Sequence, residues 1–221
     1  MGESASDYLV FHINPYIAVG FGFIGLFLSL LLQFYVKKYI AFVYWFAVVM
    51  VAVFGTMAAD VLHVVLGIPY LVTTIFFSVS LAVIFLVWYK VEKTLSIHSI
   101  NTRRREVFYW LTVIATFALG TAAGDMTAAT FSWGYLLSGI VFGILFLLPG
   151  LGYWKLHWNE VFSFWFAYVI TRPLGASFAD WFGKPVLGGL NFGDEKVSIV
   201  LTVLIIIFVA YLTVTKKDYK G

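Results

Sequence analysis

Three aspartates sit at one fixed spacing inside segments that are otherwise apolar enough to cross a membrane. Trp45, Gly55 and Asp60 recur as Trp110, Gly120 and Asp125, and again as Trp165, Gly175 and Asp180. The unit is an aromatic plus Trp, nine residues, Gly, four residues and Asp, with no gap needed in any copy. The third copy, VFSFWFAYVITRPLGASFADW, also carries Thr171, Arg172 and Pro173. An aspartate or arginine at the centre of a spanning helix costs about 2.5–3.5 kcal/mol on insertion scales, so such residues are paired or functional. Three acids against one arginine leave excess negative charge, which suits a bound cation or protons shared among crowded carboxylates. The expected chemistry is ion binding or proton carriage by Asp60, Asp125 and Asp180, with Arg172 setting their charge state or contacting an anionic substrate. A second reading stays open, in which Arg172 neutralises one or two acids and the rest are hydrated at the membrane boundary, holding hairpins together.

The neighbours of the acids support a packed setting. Gly55 with Ala59, Gly120 with Gly124 and Gly175 with Ala179 are small pairs four residues apart, which let helix backbones approach closely. Thr56 with Asp60, Thr121 with Asp125 and Ala176 with Asp180 form the adjoining pairs, so the acids are expected to face protein. Arg172 lies eight residues before Asp180, about 12 Å along one helix, so its partner is expected on another helix. Pro173 removes a helix hydrogen bond and frees the Val169 carbonyl, with Arg172 as the nearest donor. His63, three residues after Asp60, is a weak metal half-site and reads more simply as an interfacial histidine. Glu106 and Glu160 open motif helices and read as favourable charges at their positive ends. The Trp and Tyr residues at 44–45, 88–89, 109–110 and 153–154 read as an interface belt. No nucleophile elbow, phosphate-binding glycine loop or HExxH motif is present, and no cofactor is called for.

Those residues require long apolar elements to position them. Of 221 residues 62% are hydrophobic, 20% aromatic and 11% charged, a composition that excludes an ordinary soluble domain. Seven stretches reach the roughly 20 residues that a bilayer core needs: 15 to 36, 40 to 62, 70 to 89, 107 to 130, 133 to 153, 161 to 181 and 196 to 215. They are apolar all round rather than alternating, which predicts an all-α bundle in one membrane domain, 1–221, and excludes a barrel. Eleven of the fourteen basic residues follow the odd spans: Lys37, Lys38, Lys90, Lys93, Arg103 to Arg105, Lys155, Lys216, Lys217 and Lys220. That side is expected to be cytoplasmic, with the N-terminus outside and the Trp end of each motif inside, in the cytoplasmic (inner) membrane of a cell. The basic run at 103–105 then reflects topology and lipid contact, and nucleic-acid binding has no support. The last apolar run, VSIVLTVLIIIFVAYLTV, contains no lysine within it, which excludes a retinal Schiff base.

The repeat extends to the start of the chain, where GESASD sets Gly2 and Asp7 at the same separation. Pro15-Tyr16, Pro69-Tyr70 and Gly134-Tyr135 each begin the span after an acid. The repeats are thus hairpins at about 1–38 (partial), 39–95, 104–156 and 158–217, all running in one direction, which predicts an axis near the membrane normal. The stretches GTMAAD, LGTAAGD and TRPLGASFADWFGKP resemble a family of prokaryotic multi-pass proteins, often labelled only "membrane-anchored protein", built from a repeat of unknown function. That resemblance covers nearly the whole chain and implies four hairpins, the first motif reading G-E-T-x-G-D. Gly2, Glu3 and Asp7 match it, while the apolar helix that should precede them is absent, which suggests a truncated chain or a misplaced start. The reading that follows is a small transporter or channel-like protein for a cation or a proton-coupled small solute. The alternative is a structural or sensory module of the membrane.

Overall fold

The computed structural model describes residues 1–36 and 38–217; Lys37 and Lys220, both in the charge count above, lie outside the described residues. Eight α-helices account for the fold, with no strand among the described residues: α1 (Gly2–His12), α2 (Pro15–Tyr35), α3 (Ala41–Asp60), α4 (Tyr70–Glu92), α5 (Arg103–Asp125), α6 (Gly134–Leu156), α7 (Glu160–Gly183) and α8 (Asp194–Thr215). One turn of π-helix follows each of two motif acids, Val61–Val65 after Asp60 and Met126–Thr130 after Asp125. Helix starts obey local chemistry. Asn14, Thr102 and Asn159 accept hydrogen bonds from Tyr16, Arg105 and Phe162 backbone N–H groups at 3.0, 3.3 and 3.1 Å.

Six helices are long and apolar enough to span a membrane, α3 and α5 with their π turns included. Helix α7, at 24 residues, is long enough but carries Glu160, Arg172 and Asp180, which lower its apolarity. The remaining helix, α1, is short and mostly buried, with Glu3, Ser4 and Ser6 almost fully enclosed.

The repeat dictates the layers. Motif helices α1, α3, α5 and α7 form an inner ring in which each touches the next and α7 touches α1. The second helices of the hairpins lie outside: α2 packs on α3, α4 on α5, α6 on α7, and α8 closes the circle on α1. Burial follows this division, since 61% of the apolar stretch of α5 is enclosed and only 11% of that of α8. Outer faces bear Phe21, Phe27, Phe76, Ile144 and Phe208, apolar side chains turned away from the protein as a lipid-facing surface requires.

Of the three motif glycines expected at close crossings, Gly55 and Gly120 lie at one, and Gly2 of the partial copy lies at another. A Cβ on Gly2 would meet Ala52 atoms at 2.6–2.8 Å, one on Gly55 would meet Phe117 Cβ at 2.8 Å, and one on Gly120 would collide with Arg172 and Pro173. Gly2, Gly55 and Gly120 each therefore seat the next motif helix in close contact. Gly175 differs: nothing lies within 4 Å of its added Cβ, and it borders a cavity.

At the Trp end the expected interface belt divides. Trp154, Tyr153 and Tyr89 are exposed, but Trp88, Tyr109, Trp110 and Trp165 form a buried core with Val51 and Val113. The reason is position in the hairpin. Tyr109, Trp110 and Trp165 turn inward from motif helices and Trp88 turns from α4 onto Phe108 and Trp165, whereas Tyr153 and Trp154 end an outer helix. Trp165 donates Nε1–H to the Leu95 carbonyl at 2.8 Å, tying the α4–α5 connection to α7. Glu106 accepts from Gln33 Nε2 at 3.0 Å, and Glu92 holds Arg104 and Arg105.

Candidate functional site

Equivalent positions of the four copies meet at the centre of the inner ring. The residue after each motif glycine is Glu3, Thr56, Thr121 or Ala176. The first three converge. Glu3 Oε2 accepts from Thr56 Oγ1 at 3.2 Å, from Thr121 Oγ1 at 3.1 Å and from Arg172 Nη2 at 3.1 Å. The two threonine hydroxyls are 3.2 Å apart, and Arg172 Nη2 also reaches Thr56 Oγ1, Thr121 Oγ1 at 3.3 Å and the Ala52 carbonyl at 3.4 Å. Its guanidinium lies over the Phe117 ring, 4.9 Å from the centroid. Ala52, Phe117 and Arg172 are themselves repeat equivalents, each three residues before its motif glycine. Arg172 thus finds its partners on other helices, as its distance from Asp180 required. The freed Val169 carbonyl is not its acceptor; the Ala52 carbonyl is.

Four residues onward, about 6 Å at 1.5 Å per residue, lie the motif acids. Lys184 Nζ is 3.0 Å from Asp7 Oδ2 and 3.0 Å from Asp180 Oδ1. Carboxylate oxygens of Glu3, Asp125 and Asp180 come within 4.8 Å of one another. Asp60 lies in electrostatic range of Glu3, Asp125, Asp7 and Lys184. Asp180, Glu3 and Asp7 are buried, Asp125 and Asp60 partly so. Outside the spanning helices, burial pushes the Asp7 carboxyl up to about 6 despite the pull of Lys184. Burial would lower the Lys184 ammonium, but Asp180, Asp7 and Glu3 outweigh it and hold the group well above its ordinary value.

Lys184 is fixed by the chain that follows α7. This segment turns back on the helix: Leu190 N–H donates to Trp181 O at 2.6 Å, Phe192 N–H to Phe182 O at 2.9 Å and Gly193 N–H to Gly183 O at 3.1 Å. Gly134, at φ +69°, lets the start of α6 pass against Leu187, whose carbonyl would lie 2.7 Å from any Cβ there; Tyr135 N–H donates to that carbonyl at 3.2 Å. The Tyr135 ring sits beside Lys184 Nζ, 5.7 Å from its centroid.

Other residues singled out in the sequence fall elsewhere. Thr171 returns its hydroxyl to the Ala167 carbonyl at 2.8 Å and faces a cavity. His63 bonds Ile68 O through Nδ1 at 2.8 Å and stacks on Tyr70 with centroids 3.5 Å apart, apart from the three-carboxylate group. Glu3, Asp7 and Lys184 join the centre although none lies within an apolar spanning stretch. The partial copy GESASD carries the signal for the first two. For Lys184 the signal is its place one turn after Asp180, just past the apolar stretch.

Six apolar helices of spanning length, packed with α1 and α7 about a shared polar centre, define a multi-pass helical membrane protein built from internal repeats. The chain belongs to the family described as Repeat of Unknown Function (DUF347), matched over residues 43–94, 108–157 and 163–218. Each matched stretch contains one full Trp-to-Asp unit, and the partial copy lies outside them. No curated protein and no solved structure matches the chain.

Proposed function

We propose that this protein is a small transporter or channel-like protein of the cytoplasmic membrane that passes a cation, or a proton-coupled small solute, through the centre of its inner ring. In this reading α7 is a seventh span, the Trp ends and the C-terminus are cytoplasmic, and α1 lies toward the outside. One observation carries it. Five carboxylates, from Glu3, Asp7, Asp60, Asp125 and Asp180, share the centre with two cations that reach them, Arg172 and Lys184. Uncompensated charge of that size in an enclosed site draws protons or a bound cation. Parallel repeats that bring equivalent acids to one axis provide the geometry, and π-helical turns directly after Asp60 and Asp125 supply backbone of the kind concentrated at functional sites.

The test is flux and ion binding in proteoliposomes, for wild type and Asp125→Asn, across protons and a panel of mono- and divalent cations. Wild type is expected to show ion-dependent uptake or thermal stabilisation that Asp125→Asn loses. A correctly folded wild type with neither response across the panel leaves the second reading, a structural or sensory module. The closed Glu3–Arg172 pin favours that reading.

A further inference from the structure

We infer that Tyr44, Tyr109 and Tyr168 form an inner gate between the Trp end of the bundle and Arg172. The inference rests on the transport reading for its purpose but on separate geometry for its existence. Two cavities share a wall. One, of about 770 Å³, opens at the Trp end among Lys38, Asn101, Arg103 and Glu106 and is floored by Tyr44, Tyr109 and Tyr168. The other, of about 330 Å³, is walled by Val48, Ala52, Phe117 and Gly175 and reaches Thr171 and Arg172. Tyr44 and Tyr168 line both, so these two side chains are the partition.

The partition is held by hydroxyl contacts across three different helices. Tyr44 Oη and Tyr109 Oη share a short hydrogen bond, and the Tyr168 hydroxyl stands within interaction range of Tyr109. Such a set has two stable arrangements: rings bonded to one another and closing the route, or rings turned aside with hydroxyls on water. Tyr44 and Tyr168 are half-buried and turn about their own side-chain torsions, while Tyr109 is held in the aromatic core and anchors their hydroxyls. A narrow aromatic constriction excludes water until it opens, which is how apolar pores gate. Behind it, Arg172 is buried with its Nε lacking a partner among the described residues, a donor ready for water or solute that passes the tyrosines.

The chain contains no cysteine, so single introduced thiols report access directly. Val48→Cys reports the inner cavity and Asn101→Cys the outer one, each treated with a charged, membrane-impermeant methanethiosulfonate in inside-out and right-side-out vesicles. With the tyrosines intact, Asn101→Cys is expected to react readily from one side and Val48→Cys at least tenfold more slowly from that side. Adding Tyr109→Phe, which removes the shared hydroxyl, or Tyr168→Ala, which removes a ring, is expected to raise the Val48→Cys rate at least tenfold and leave Asn101→Cys unchanged. Two variants guard against one that fails to fold, and an unchanged thermal unfolding transition in detergent certifies the fold of each. Val48→Cys reacting as fast as Asn101→Cys in the parent overturns the gate, as does protection that survives Tyr168→Ala. Labelling that follows this pattern in a protein with no flux keeps the gate and removes the transport reading.

Discussion

Two polar layers, one helical turn apart, are built from the same repeat with opposite charge balance. In the Arg172 layer one carboxylate meets one guanidinium, and two threonine hydroxyls turn toward the same Glu3 oxygen. In the Lys184 layer four aspartates gather around one ammonium. A balanced buried pair with its charged oxygen and Nη2 hydrogen-bonded is a fixed joint, because every alternative arrangement strands a charge. An over-acidic layer has no such closed solution and must take up protons or cations. Internal repetition has thus produced a pin and an open site from equivalent positions, the difference lying in which residue follows each glycine and which cation reaches in.

The sharpest way to break this contrast is to remove the pin. Arg172→Leu is expected to lower stability by about 3–5 kcal/mol, since Glu3 is left buried without its counter-charge; denaturant unfolding in detergent measures it. Adding Glu3→Leu to Arg172→Leu should recover a large part of the loss. A single-variant cost under about 1 kcal/mol would mean that the Arg172 layer is no more closed than the other.

Smaller effects refine the same layer. Thr56→Val and Thr121→Val each remove a hydrogen bond to a buried carboxylate and are expected to cost about 1.5–3 kcal/mol. Both donate to the same Glu3 oxygen, so the double variant should cost less than the two singles added. Additivity in a double-mutant cycle would show that they act separately.

The acid layer should answer to pH instead. With its native carboxyl raised from 3.8 to about 6, Asp7 binds more protons folded than unfolded between those values, so its contribution makes stability fall as pH rises through that window. Thermal unfolding followed from pH 4 to 7 checks the sign, and Asp7→Asn should flatten the slope. The smallest stability change is expected at Asp125→Asn, within about 1 kcal/mol or a slight gain, because it relieves repulsion and strands nothing. A loss as large as that of Arg172→Leu would erase the distinction between the layers.

Much of this architecture is written in the chain. The Trp-to-Asp unit, its three copies and the helices follow from spacing and apolar length, and the small residues four apart correctly turn the acids toward protein. The aromatic belt was only half legible, because hydropathy cannot say whether an aromatic at a helix end points inward or outward. Gly175 matched its siblings in sequence yet packs against nothing, since its role depends on a neighbour that the other glycines have and it lacks.

The sequence by itself determined which segments are helices, that they repeat in one direction, and that Asp60, Asp125, Asp180 and Arg172 are too costly in lipid to be incidental. Those are properties of local composition and period. Only the tertiary structure decided that Glu3, 169 positions before Arg172, is its counter-charge, that Asp7 and Asp180 share Lys184, and that Tyr44 and Tyr168 divide two cavities. The first two depend on closing a ring between the first and last motif helices and the third on bringing α3 and α7 together, and no local pattern encodes the distance between helices so far apart in the chain.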